Sequence, residues 1–140
     1  MIALNNLPNC TDGKNDEADI ETIKAFYTER MDGDLFLKTI ATNVILGMWD
    51  DYWGNKNNFY FYFDKKTEKA YFIPYDYDNV LGVGIVLNRR LFNGATQNPL
   101  KWNVSENDRR PLIQKILQVP EYMETYKKYL LEFSNEESAF

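Results

Sequence analysis

The sequence predicts an α+β fold that is mainly helical and has one β-hairpin at its centre. Apolar residues recur at helical spacing on both sides of the middle of the chain, and the middle itself holds a short stretch of alternating aromatics. The chain has 140 residues, of which 44% are hydrophobic and 16% aromatic. This length and composition predict a single domain, residues 1–140, around one core.

Four helices are predicted, two before the hairpin and two after it. After an initial loop over residues 1–15, Asp19 is predicted to cap a helix that ends near residue 30. Asp34 is predicted to cap the second helix, which runs to about residue 48 with its apolar side chains on one buried face. Pro111 and Pro120 are typical first residues of the last two helices. Arg110, which precedes them, is assigned to the surface.

Residues 58–64 predict the first strand of the hairpin, because their side chains alternate between the two faces. Residues 65–68 form a polar turn, and residues 70–74 are predicted to return as the second strand. The phenylalanines are expected to enter the core and the tyrosines to pack under a helix: Phe59, Phe61 and Phe63, and Tyr60 and Tyr62. Residues 82–110 show no period and predict a long irregular loop.

The composition excludes several classes of function. A formal net charge of −5 disfavours nucleic acid as a partner, because binding to phosphates needs a basic face. No apolar run is long enough to predict a membrane span. The absence of histidine excludes Ser-His-Asp catalysis and histidine-ligated zinc, and one cysteine, Cys10, allows no internal disulfide. Metal sites built from oxygen ligands remain possible, and such ligands suit magnesium, manganese or calcium.

Two acidic loops flank the predicted hairpin. The loop before it, WDDYWGNKNN, contains Asp50 and Asp51, and the loop after it, within IPYDYDN, contains Asp76 and Asp78. A hairpin brings its outer ends together, so these carboxylates are expected to converge with the amide of Asn58. Carboxylates and an amide oxygen can hold a divalent cation whose shell a phosphate completes. The competing interpretation is that the acids only cap turns.

Protein kinases use the same order of elements. A catalytic aspartate precedes a metal-binding asparagine, a hairpin follows, and a metal-binding aspartate comes after it. In this order Asp50 is the catalytic candidate, with Asp51 as its rival. Asn58 and Asp76 are the candidates for cofactor binding, and Asp76, Asp78 and Asn58 for the metal. Asn57 competes with Asn58, and the usual His-Arg-Asp triplet is absent.

At these residues the sequence resembles the CotH kinase family of atypical protein kinases. The resemblance covers roughly residues 16–133 and rests on WDDYWGNKNNFYFYF and YFIPYDYDNVLG, with a similar helix before them and similar helices at the end. It implies a protein-kinase-like C-terminal lobe, ATP with Mg²⁺ or Mn²⁺, and phosphoryl transfer to serine or threonine of a protein substrate. By resemblance Asp50 matches the catalytic-loop aspartate and Asp76 the metal-binding aspartate. The family also suggests an extracytoplasmic, spore-surface or cell-surface setting.

The chain departs from this family before the first helix. A glycine-rich loop and a strand lysine that would grip ATP are absent ahead of Asp50, so we expect a fragment without its N-terminal lobe, inactive by itself. Two other functions remain open. One is a calcium-stabilised carbohydrate- or protein-binding module, because tryptophan and tyrosine lie beside aspartate and asparagine. The other is a catalytically dead scaffold with the same fold.

Overall fold

The computed structural model describes residues 7, 17–87, 90–101 and 110–135, and only the backbone of residues 85–87 and 90–92. The predicted initial loop, residues 1–15, therefore lies outside the described residues except at Leu7. Leu7 is buried, and its carbonyl accepts a 2.5 Å hydrogen bond from Lys115 Nζ. None of the helices in the described ranges has the length and apolar character that crossing a membrane requires.

Four α-helices hold more of the described residues than the strands do, in agreement with the predicted α+β fold with mainly helical elements. They are α1 (Glu17–Glu29), α2 (Gly33–Ile45), α3 (Pro111–Ile116) and α4 (Pro120–Ser134). The predicted cap of α2 was wrong by two residues. Asp32 has extended backbone and accepts a 3.0 Å hydrogen bond from the Leu35 amide, so it is the N-cap. Asp34 lies in the first turn and pairs with Lys38 at 2.8 Å.

The central hairpin forms as predicted, from β1 (Phe59–Phe63) and β2 (Ala70–Pro74). Its inner face carries Phe72, which is buried and stacks on Phe59 with ring centroids 5.5 Å apart. The prediction of a buried Phe63 was wrong, since this side chain is 69% exposed at the far end of the hairpin. Tyr60 and Tyr62 are also more than half exposed, so no described helix covers the outer face.

A second hairpin occupies part of the segment that was predicted to be irregular. Strands β3 (Gly84–Leu87) and β4 (Arg90–Asn93) pair antiparallel, and a 3₁₀ turn follows at Gly94–Thr96. Each strand has four residues, too few for a period to be read from sequence. The turn lies against the end of α2: a Cβ atom built on Gly94 would lie 1.9 Å from the Gly47 carbonyl oxygen. The two backbones therefore touch with no room for a side chain.

The core lies around α2, and polar side chains enter it on one side. The apolar residues of α2 form one cluster with residues of α1, α3 and α4. They are joined by five buried polar or charged side chains: Asn43, Asp51, Asn58, Arg110 and Lys115. Four of the five belong to or contact the loop of residues 50–58. Because buried polar groups are costly unless paired, this loop is where the structure concentrates its specific hydrogen bonds.

Candidate functional site

Loop 50–58, which joins α2 to the hairpin, folds around the carboxylate of Asp51. This side chain is 1% exposed, and its Oδ1 accepts a 2.7 Å hydrogen bond from the Gly54 amide. Its Oδ2 accepts a 3.0 Å hydrogen bond from Asn43 Nδ2. Burial raises the pKa of the Asp51 carboxyl, while the hydrogen bonds from Gly54 and Asn43 act in the opposite direction. Asp51 thus stabilises the loop through the hydrogen bonds that its buried carboxylate accepts.

Close backbone packing and one buried arginine hold the same loop. A Cβ atom on Gly54 would lie 1.9 Å from the Trp49 carbonyl oxygen, so only glycine fits this turn. Arg110 is 1% exposed, and its Nε and Nη2 donate to the carbonyls of Trp53 and Gly54 at 2.7 and 2.9 Å. The surface assignment of Arg110 was therefore wrong. Its guanidinium ties the loop to the start of α3.

Asp50 lies on the outer side of the loop, partly exposed and surrounded by asparagine amides. Asn55 Nδ2 donates to its Oδ1 at 2.7 Å, and Asn57 Nδ2 lies 3.4 Å from both carboxylate oxygens. Asn58 Nδ2 donates to its Oδ2 at 3.1 Å and to its backbone carbonyl at 2.9 Å. These contacts fix the orientation of a carboxylate that solvent can still reach.

Asn58 connects this loop to the opposite end of the hairpin. Its carbonyl accepts a 3.0 Å hydrogen bond from the Tyr75 amide, and its φ of 51° is a left-handed conformation that asparagine tolerates. Within the described residues, nothing donates to its side-chain Oδ1. The structure thus brings Asp50 and Asn58 into direct contact, beside the strand end that leads to Asp76.

Asp76 and Asp78 flank Tyr77 in a 3₁₀ turn over Tyr77–Asn79. Asp76 has φ 58° and ψ 73°, and its exposed carboxylate has no hydrogen bond to any described residue. Asp78 Oδ1 accepts a 2.6 Å hydrogen bond from Asn79. Left-handed backbone outside glycine costs about 1–3 kcal/mol and is common at functional sites. In the described parts of the chain, no three aspartate, glutamate, cysteine or histidine side chains cluster as a metal site.

A side-chain contact that was not predicted joins the two loops. Tyr77 Oη donates to Asn43 Oδ1 at 2.9 Å, and Asn43 is the residue whose Nδ2 donates to Asp51. Asn43 is completely buried on α2. A signal was present in the sequence, since position 43 lies three residues after Ile40 on the apolar face of the helix. A polar residue there indicates a specific hydrogen-bonded role.

Comparison with known proteins identifies the family. The family model described as CotH kinase protein matches residues 4–137, so this chain belongs to the CotH kinase protein family, as its motifs predicted. It is similar to spore coat protein homolog 1 of Rhizopus delemar, with 27% identity over 117 residues. That match covers 82% of this chain and 18% of the relative, so the chain spans about a fifth of the relative's length. No solved structure matches the chain.

Proposed function

We propose that this chain carries the catalytic and metal-binding part of an atypical protein kinase. The reaction is transfer of a phosphoryl group from ATP to a serine or threonine hydroxyl of a protein, with Mg²⁺ or Mn²⁺ as the cation. The observation that carries the proposal is the contact of Asp50 with Asn58 at the outer end of the hairpin, where the strand leading to Asp76 also ends. Membership of the CotH kinase protein family supports it.

Asp50 is the better of the two candidates for the catalytic aspartate. Asp51 is buried, and both of its carboxylate oxygens are already engaged by loop and helix donors. Asp50 is partly exposed, and its carboxylate is oriented by side-chain amides. A group that receives a proton from a substrate hydroxyl must be reachable and correctly oriented. We therefore assign proton acceptance to Asp50 and construction of the loop to Asp51.

The oxygen donors near the hairpin end fit a divalent cation. The Asp76 carboxylate has no hydrogen bond within the described chain, and Asn58 Oδ1 receives none. Mg²⁺ in nucleotide sites is held by one or two carboxylates, with water and phosphate filling the other positions. Asp76 and Asn58 would hold the ion, with Asp78 as a further ligand. When bound, the cation neutralises charge on the transferring phosphates.

A kinase function also implies partners and a cellular setting for the protein. ATP and a protein substrate are the partners that a kinase requires, and we propose that an N-terminal lobe completes the ATP site. The name of the Rhizopus delemar relative associates that protein with the spore coat. We propose an extracytoplasmic, spore-surface or cell-surface setting for this chain on that likeness alone.

Thermal unfolding with and without Mn²⁺ tests the metal site. A ligand present at ten times its Kd stabilises a protein by about 1.4 kcal/mol, which for a domain of this size is about 3–6 °C in Tm. Asp76→Asn removes the charge and keeps a residue that tolerates left-handed backbone, so it should abolish this shift. Glu132→Gln, on the exposed surface of α4, is the matched control and should retain it. An equal Mn²⁺ shift in both variants, or none in the unsubstituted protein, would contradict the proposal.

Adding a non-hydrolysable ATP analogue distinguishes the hypothesis of a kinase-type site from that of a binding module. A further rise in Tm that needs both the analogue and Mn²⁺ supports a kinase-type site. Stabilisation by Ca²⁺ alone, together with measurable affinity for a glycan, would instead favour a carbohydrate-binding module. The exposed tyrosines of the hairpin's outer face, Tyr60 and Tyr62, are the feature that such a module would use.

A further inference from the structure

The two loops of the candidate site are connected by a chain of hydrogen bonds through side chains, of which the central one is buried and the outer two are partly buried. The chain runs from Tyr77, in the turn that carries the metal candidates, to Asn43 on α2 at 2.9 Å. It continues to Asp51 at 3.0 Å and ends at the Gly54 amide at 2.7 Å. Three separate elements, a turn, a helix and a loop, thus meet at one asparagine side chain.

The direction of these hydrogen bonds is fixed by chemistry. An ionised carboxylate can only accept, so the amide nitrogen of Asn43 must face Asp51. The carbonyl oxygen of Asn43 then faces Tyr77, whose hydroxyl must donate. Both polar ends of the asparagine are used, which a smaller or apolar side chain on this helix face could not achieve. Leucine could fill this position, but it would leave Asp51 Oδ2 and the Tyr77 hydroxyl without this partner, so the asparagine is needed for hydrogen bonding rather than for packing.

This chain supplies a second connection between the loops. The hairpin end provides the first, through the single backbone hydrogen bond from Tyr75 to Asn58. On its other side the turn is held by the Leu81 amide, which donates to the Leu46 carbonyl at 2.7 Å. Neither of these backbone hydrogen bonds involves Asp76, whose backbone is in a left-handed conformation. The hydrogen bond from Tyr77 to Asn43 adds an anchor directly beside Asp76, because Tyr77 follows Asp76 in the chain.

We infer that Asn43 is a positioning residue, which couples the turn of residues 76–79 to loop 50–58 and so fixes Asp76 relative to Asp50. This inference rests on the proposed function, because it assigns Asp50 and Asp76 to one site. Asn43 itself touches neither substrate nor metal in this role. It acts through Tyr77 on one side and through Asp51 on the other.

Tyr77→Phe is the test, since it removes one hydroxyl and keeps the ring. Tyr75→Phe is the matched control, because the Tyr75 hydroxyl has no hydrogen bond to a described residue and its ring is 48% exposed. Two quantities are measured: hydrogen exchange of the Gly54 amide by NMR, and Mn²⁺ affinity by calorimetry. A lost neutral hydrogen bond corresponds to a change of about two- to tenfold. Tyr77→Phe should speed Gly54 exchange and weaken Mn²⁺ binding by about this factor, while Tyr75→Phe changes neither.

A double substitution checks that the effect passes through Asn43. In the Asn43→Leu background, Tyr77→Phe should have no additional effect on Mn²⁺ affinity, because the partner of the hydroxyl is already gone. Unchanged Gly54 exchange in Tyr77→Phe would overturn the inference. So would faster exchange with unaltered Mn²⁺ affinity, since the hydrogen bonds would then be structural only. If the unsubstituted protein binds no Mn²⁺, the proposed metal site fails, and Gly54 exchange still decides whether the loops are coupled.

Discussion

Replacing Arg110 with methionine should destabilise the protein more than any surface change of the same kind. The guanidinium is 1% exposed and donates to the carbonyls of Trp53 and Gly54 at 2.7 and 2.9 Å. Methionine fills similar space but leaves both carbonyls without this donor. Hydrogen bonds from a charged donor contribute about 1.5–3 kcal/mol each, so losing both should cost about 3–6 kcal/mol.

The matched control is Arg30→Met, which makes the same chemical change at the surface. Arg30 pairs with Glu68 at 3.4 Å, and these two side chains are 40% and 77% exposed. Exposed ion pairs of this kind contribute about 1 kcal/mol or less. Arg110→Lys should fall between the two, because a single ammonium lacks the planar fork of donors that reaches both carbonyls.

Urea denaturation followed by circular dichroism measures all three variants. A loss of about 3–6 kcal/mol in Arg110→Met is a large fraction of the stability of an ordinary domain, and it should lower Tm by about 6–24 °C. A loss no greater than that of Arg30→Met would refute the reasoning. It would mean that loop 50–58 keeps its structure without the arginine, and that the buried guanidinium does not hold it.

Three further predictions concern other parts of the fold. Gly54→Ala should destabilise by about 2–4 kcal/mol in urea denaturation, because its Cβ would lie 1.9 Å from a backbone oxygen. Phe72→Ala should cost about 3–5 kcal/mol, while Phe63→Ser, at a side chain 69% exposed, should change stability by less than about 0.5 kcal/mol. The hydrogen bond from Lys38 lowers the pKa of Asp34 in the folded protein. The ionised Asp34 carboxylate therefore stabilises the fold above about pH 3.9, and this stabilisation is lost as the pH falls through the lower pKa of the folded state. The stability difference between the unsubstituted protein and Asp34→Asn is below about 1 kcal/mol at pH 7, because both side chains of the pair are exposed. It should decrease as the pH falls below about 3.9; a difference that grows on acidification would contradict this.

Local patterns in the sequence were sufficient for the elements but not for their surroundings. The apolar face of α2 and the alternating aromatics of β1 identify a helix and a hairpin because both signals lie within a few residues. Burial of Phe63 could not be read in this way, since it depends on where the packed helices end relative to the hairpin. The cap of α2 was misplaced because two aspartates lie two residues apart, and either could have begun the helix.

The candidate site likewise has some features that neighbouring residues predict and others that depend on residues far away in the chain. The order of loop, hairpin and loop was enough to predict that the region of Asp50 would meet the strand end before Asp76, and the Asn58 to Tyr75 hydrogen bond provides that junction. The roles of Asn43 and Arg110 depend on partners 8 and 56 or 57 positions away in the chain. Spacing within a motif carries no information about such contacts. Only the polarity of position 43 on an apolar helix face offered a hint.

The contact between Gly47 and Gly94 has a consequence for the evolution of this fold. A Cβ atom at position 94 would lie 1.9 Å from the Gly47 oxygen, and one at position 47 would lie 2.8 Å from the Ala95 nitrogen. Neither position can therefore change alone while the 3₁₀ turn stays against the end of α2. In relatives that keep this packing, we expect both positions to be glycine together. A relative with a larger residue at both should have moved the turn away, and with it the second hairpin.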